Sequence, residues 1–172
     1  MSVLTIHIGD KYYNKDPQSS ELGRKIIEQG IVMLDELGFE QFTFKKLALR
    51  INSTEASVYR YFDNKFKLLV YLTTWYWAWI DYQIDYQTHH IKDQEEKLQG
   101  ILKILCHVAK ANDTQDIAEM NISSLRRVVM SESDKTYLTK QVDEINSLGL
   151  FKVFKSLCHK ISLVITEINP AY

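Results

Sequence analysis

A chain of 172 residues, 45% hydrophobic and 25% charged, with 6 glycines and 2 prolines, has the make-up of one globular domain or of two small ones sharing a core. Its 21 Lys and Arg nearly balance its 22 Asp and Glu, for a formal charge of −1, which excludes a disordered polyelectrolyte. The longest uncharged apolar run, Leu68 to Ile80, falls short of the ~20 residues that span a bilayer. No basic stretch followed by an apolar one opens the chain, so a cytoplasmic location is expected, with Cys106 and Cys158 as thiols and no membrane partner.

Pro17 and Pro170 are the only prolines, and the interval between them suits an uninterrupted array of helices. Residues 1–18 read as an extended arm, in which Leu4, Ile6 and Ile8 alternate with polar neighbours. A first helix starts at a Ser19 or Ser20 cap, buries Leu22, Ile26, Met33, Leu34 and Leu37, and stops at Gly38. Thr43 caps a second, short helix, with Phe42 and Leu47 as a hydrophobic staple and a face of Phe44, Leu47, Ala48 and Ile51. After a tight turn at Asn52-Ser53, Thr54 caps a third helix that turns Val58 and Phe62 inward. Asp63 is expected to cap a fourth helix running to about Thr88. A fifth follows Asp93 with Leu98, Ile101, Leu102, Leu105 and Val108 as its face. A sixth spans about Thr114 to Met130, and a seventh runs from Ser133 to about Ile168, with a bend at Gly149. The fold class is therefore all-α: a three-helix helix-turn-helix unit over 19–63, then an antiparallel helical bundle over 64–172.

Charge is uneven along this array. From Thr43 to Lys67, Lys45, Lys46, Arg50, Arg60, Lys65 and Lys67 face only Glu55 and Asp63, an excess of four positive charges. Two short helices joined by a tight turn and braced by a preceding one form a helix-turn-helix, whose later helix enters the major groove N-terminus first. That end is Thr54-Glu55-Ala56-Ser57, short side chains that allow close approach, with Glu55 able to accept from a cytosine amine. Tyr59, Arg60, Tyr61 and Lys65 follow and suit phosphate oxygens, as do the helix starts near Thr43 and Asn64. Read from the residues alone, the alternative stays open that Tyr59 and Tyr61 pack between helices and the lysines are a solvated face.

Residues 43–69, TFKKLALRINSTEASVYRYFDNKFKLL, resemble the DNA-binding signature of the TetR family of transcriptional regulators: the capping threonine, the Tyr-x-Tyr-Phe element at 59–62, the following lysine and the Gly38-Phe39 exit of the first helix. The resemblance implies that Thr43, Thr54, Ser57, Tyr59, Tyr61 and Lys65 contact DNA, mostly at phosphates, and that Glu55, Ala56 and Arg60 read sequence. It also implies a helical effector-binding and dimerisation domain, a ligand-responsive repressor, and a palindromic double-stranded operator bound by a homodimer. Two departures stand out. Many relatives have Gly-Val-Ser-Lys where this chain has Asn52-Ser53-Thr54-Glu55, an acid in place of a base. Members also close with two further helices that pair across the dimer, so the 64–172 domain is either shortened or dimerises through another surface.

On the fourth helix Tyr71, Trp75, Trp79, Tyr82 and Tyr86 recur at helical spacing. They are either core or, for Trp75, Trp79, Tyr82 and Tyr86 together with His107 and Met120, the lining of a small-molecule effector pocket. Trp77 lies off that stripe and, if exposed, would favour the competing reading of a protein-interaction module that does not bind DNA. Cys106-His107, Cys158-His159 and His89-His90 are adjacent pairs whose side chains diverge by about 100° on a helix, so no metal site and no cofactor is expected. No nucleophile triad, phosphate loop or carboxylate pair points to an enzyme.

Overall fold

The computed structural model describes residues 12–107, 122–137, 143, 146 and 150–171, and among these the chain is all-α, without a strand. The helices are α1 Glu21–Gln41, α2 Phe44–Arg50, α3 Glu55–Tyr59, α4 Lys65–Thr88, α5 Gln94–His107, α6 Ile122–Glu132, α7 Asp134–Tyr137 and α8 Leu150–Ile168.

The described part of the arm is not extended. Asp16 accepts the Gln18 N–H at 2.8 Å and opens a 3₁₀ turn over Pro17–Ser19 that lies on α1. The approach is so close that a Cβ on Gly23 would stand 2.2 Å from the Pro17 carbonyl oxygen, so only glycine fits there. Residues 1–11, with the expected Leu4, Ile6 and Ile8 alternation, lie outside the described residues.

Side-chain caps set the starts of the first four helices. Ser20 accepts from Gly23, Thr43 from Lys46, Thr54 from Ser57 and Asn64 from Lys67. The last of these corrects the expectation for Asp63, whose carboxylate instead accepts from Asn14 at 2.7 Å. Gly38 breaks α1 at φ 72° and ψ 165°, a region essentially restricted to glycine, and one further turn leads to the fully buried Phe42. Asn52, at φ 52°, makes the left-handed corner between α2 and α3, a conformation asparagine tolerates better than most residues.

α4 is the central rod: it packs against α5, α6 and α8, while α1 packs against α6. One core runs through Ile26, Ile31, Leu34, Phe42, Leu47, Phe62, Leu68, Tyr71, Trp75, Ile84, Ile101, Leu125, Val128 and Leu157. On α5 the expected face is rotated. Leu102 is 49% exposed and Ile104 is buried beside Ile101, because α4 and α8 both press on this helix and select the Ile101–Ile104 edge. Of the expected sixth helix, the structure describes Ile122–Glu132. Of the expected seventh it describes α7, the helical positions 143 and 146, and α8, while Gly149 lies outside the described residues.

Polar links tie the N-terminal unit to the later helices. Arg127 of α6 grips Asp35 of α1 through both carboxylate oxygens, at 2.5 to 3.2 Å. Glu132, at the end of α6, accepts the Phe39 N–H at 3.1 Å and pairs with Lys135. Lys160 of α8 bridges Asp81 and Asp85 of α4 at 2.6 and 2.7 Å.

Candidate nucleic-acid interface

The face opposite the core of α2 and α3 is open and, apart from the exposed Leu49, polar. Thr43, Lys45 and Lys46 are exposed on α2, and Thr54, Glu55, Ala56, Tyr59 and Arg60 are exposed along α3 and its end. Hydroxyls organise this surface. Thr54 Oγ1 lies 2.9 Å from Ser57 Oγ, which accepts from Arg60 Nη2 at 2.9 Å, so the guanidinium is held back along the helix with other N–H groups still to donate. The Tyr59 ring leans edge-on against Phe44, 5.1 Å between centroids, and is 46% exposed, so its apolar body is braced.

One sequence-based assignment changes and a second is narrowed. Tyr61 is only 3% exposed, and its hydroxyl pairs with Ser20 Oγ at 2.8 Å. It is a strut between α3 and the start of α1 rather than a surface group, because Tyr-x-Tyr spacing at a helix end puts the two rings on different sides. Lys65 donates from Nζ to the carbonyls of Phe39 and Glu40, at 2.8 and 3.2 Å, and sits 4.5 Å from the Phe39 ring centroid. It fastens the first turn of α4 to the end of α1, which leaves one N–H of the three for an outside acceptor.

Sequence reasoning missed Asn14. Its backbone N–H donates to Tyr61 O at 2.8 Å, and its side-chain amide donates to Asp63 Oδ1 at 2.7 Å and to Tyr59 O at 3.4 Å. The available signal was the run Asn14-Lys15-Asp16-Pro17, a turn-forming sequence placed where a free arm was expected.

Four of the six expected effector-pocket residues have described side chains. Trp75 and Trp79 are buried in the core, whereas Tyr82 and Tyr86 are 38% and 65% exposed and stack on each other at 6.0 Å. The stripe divides because, towards its C-terminal end, α4 keeps covered the face of Ile80, Gln83, Ile84 and Thr88, and Tyr82 and Tyr86 lie off it. The His107 side chain and Met120 lie outside the described residues. Trp77 is half-buried and meets Phe154 of α8 edge-on at 5.1 Å. No group of three His, Cys, Asp or Glu side chains among the described residues is placed to hold a metal, and none of the described helices is long and apolar enough to cross a membrane.

Residues 26–72 match the model of the bacterial regulatory proteins, tetR family. The N-terminal unit is a TetR-family helix-turn-helix domain. The TetR-family match takes in most of α1, all of α2 and α3 and the first turns of α4, and it begins after the Tyr12–Ser20 segment. The chain is also similar to the solved crystal structure of apo AibR, at 17% sequence identity and a TM-score of 0.45, over 78% of this chain and 80% of that one. No curated protein sequence matches it.

Proposed function

We propose that the chain is a one-component transcriptional regulator, without enzymatic activity, that works in the cytoplasm as a ligand-responsive repressor and binds a palindromic operator as a homodimer. The observation that carries this reading is the exposed polar face of a TetR-family helix-turn-helix, with Thr54, Glu55, Ala56 and Arg60 on the groove-entering helix and Tyr59 braced beside them. In this reading Thr43, Lys45, Tyr59 and the remaining N–H of Lys65 meet phosphates, while Glu55, Ala56 and Arg60 select bases and Ser57 sets the Arg60 rotamer.

An effector in the C-terminal helices would act by having different affinities for two arrangements of those helices. The routes to the DNA-binding unit are α4, which starts beside α3 and ends among the later helices, and the α6 side chains Arg127 and Glu132, which hold α1. The interaction-module reading gains nothing from Trp77, whose ring is covered in part by α8.

The test is selection of bound fragments from a random duplex pool by the purified chain, with its mass in solution measured alongside. The expected outcome is an enriched inverted repeat bound by a dimer and lost in Tyr59→Ala, with Glu55→Gln shifting which sequences are enriched. Absence of enrichment from a folded chain would overturn the reading.

A further inference from the structure

The groove-entering helix α3 has only five residues, too few to hold a helical turn by its own hydrogen bonds. Its first end is closed from within, by Thr54. Its last end is closed in part from within, where the Tyr61 and Phe62 N–H groups donate to the Val58 carbonyl at 2.9 and 3.2 Å, and in part from outside, where the Tyr59 and Tyr61 carbonyls find their donors. Asn14 takes the Tyr61 carbonyl with its backbone N–H, and its side-chain amide spans the Tyr59 carbonyl and the Asp63 carboxylate. Lys15 places its ammonium 5.2 Å from the Tyr61 ring centroid, and the Tyr61 hydroxyl returns to Ser20.

This strap is itself fixed. Asp16 caps the turn at Pro17, Pro17 lies on Gly23, and Gln18 donates to the hydroxyl of the buried Tyr71 at 3.0 Å while its carbonyl accepts from Arg24 at 3.0 Å. The end of α3 is thereby tied to both α1 and α4. All of the strap lies before residue 26, where the TetR-family match begins.

We propose that the strap over residues 12–20 is a working part of the DNA-binding unit, and that Asn14 is a positioning residue which clamps the C-terminal end of the recognition helix. The inference rests on the DNA-binding reading given above. Without the clamp the last turn of α3 frays, and Tyr59 and Arg60 lose their fixed placement. Thr43, Lys45 and Lys46 stand on α2 and keep theirs. The loss therefore falls on discrimination between sequences more than on attraction to phosphates.

The full chain is compared with Asn14→Ala, Asn14→Asp, and Asn14→Asp combined with Asp63→Asn. Affinity is measured for the selected duplex and for a scrambled duplex of equal length over a range of salt concentrations. Asn14→Ala is expected to lower the ratio of the two affinities about tenfold while leaving the salt dependence unchanged. Asn14→Asp, which sets two carboxylates against each other, lowers it further. The paired exchange recovers part of the loss by restoring the bond between positions 14 and 63 with donor and acceptor exchanged.

Equal weakening on both duplexes, an unchanged ratio, or no recovery in the paired exchange would each overturn the proposal, and the paired exchange carries the test if Asn14→Ala does not fold. If the unaltered chain selects no duplex, the DNA reading falls on its own. Hydrogen exchange over residues 55–62 of the free chain then decides on the clamp: about tenfold faster exchange in Asn14→Ala supports it, and unchanged exchange overturns it.

Discussion

The helix-turn-helix unit and the later helices are held in different ways. In the first, helices of five and seven residues survive because the side chains of Thr43 and Thr54 close their starts and the residues just after each helix close its far end, with Asn14 added at the end of α3. In the second, α5, α6 and α8 are long amphipathic rods pressed on α4 or α1, with a few ion pairs between elements far apart in the chain. Local closure fixes one geometry tightly. Packing of long rods permits small sliding motions, and the few polar bridges decide how far a motion in one rod reaches the unit beside it.

The junction between the two modes is the turn after Gly38, where the sharpest break of the comparison is expected. A Cβ at position 38 would enter a glycine-restricted conformation and stand 3.3 Å from Glu132 Oε1. Gly38→Ala should destabilise the fold by about 3 kcal/mol, read as the shift in denaturant midpoint at unchanged slope. A midpoint within experimental error of the unaltered chain would mean that the turn is not constrained as described.

The other half of that junction is Glu132, only 8% exposed, which reaches from α6 to the Phe39 N–H while also holding Lys135. Glu132→Ala leaves that N–H without its partner and should cost about 2 kcal/mol. Glu132→Gln keeps an acceptor for the N–H, loses the ionic partner of Lys135, and should cost less. If the two variants are equal, the ion pair rather than the backbone contact joins α6 to the turn.

The same contrast explains what could be read from sequence. Caps, the Gly38 break and the Asn52 corner are local choices written in one or two residues, and the starts of α1, α2 and α3 follow from them. The α4 cap falls one residue later than expected: Asp63 and Asn64 are equally good caps by type, and the Asp63 carboxylate is taken by Asn14, 49 residues away in sequence. On the long helices, periodicity identifies a face but not what covers it. Leu102 lost its place to Ile104, and the aromatic stripe of α4 split into buried Trp75 and Trp79 and exposed Tyr82 and Tyr86, because tertiary contacts set both outcomes. Tyr61 is legible as an important residue but not in kind, since strut and surface contact draw on the same side-chain chemistry, and for Lys65 the sequence does not show the two carbonyls of Phe39 and Glu40 that it holds.

The mildest test concerns the second bridge between α1 and α6. Arg127 donates to both oxygens of Asp35, and this hydrogen bonding holds the Asp35 carboxyl below the usual aspartate range. A carboxyl whose folded pKa lies below its unfolded value adds stability that is complete above the ordinary aspartate pKa and is lost as pH falls through the lowered one. Stability should therefore fall on acidification in that window, and Asp35→Asn should remove this part of the slope. Arg127 is largely exposed, so solvent screens the pair, and the shift in Tm at neutral pH should be about 2 °C or less. DNA affinity should change little, because Asp35 precedes the Gly38 break and does not touch the turn that Glu132 holds. An Asp35→Asn chain that lost DNA affinity as well as stability would show that α6 acts on the whole of α1 as one body, and the distinction between a locally closed unit and its bridges would fail at this point.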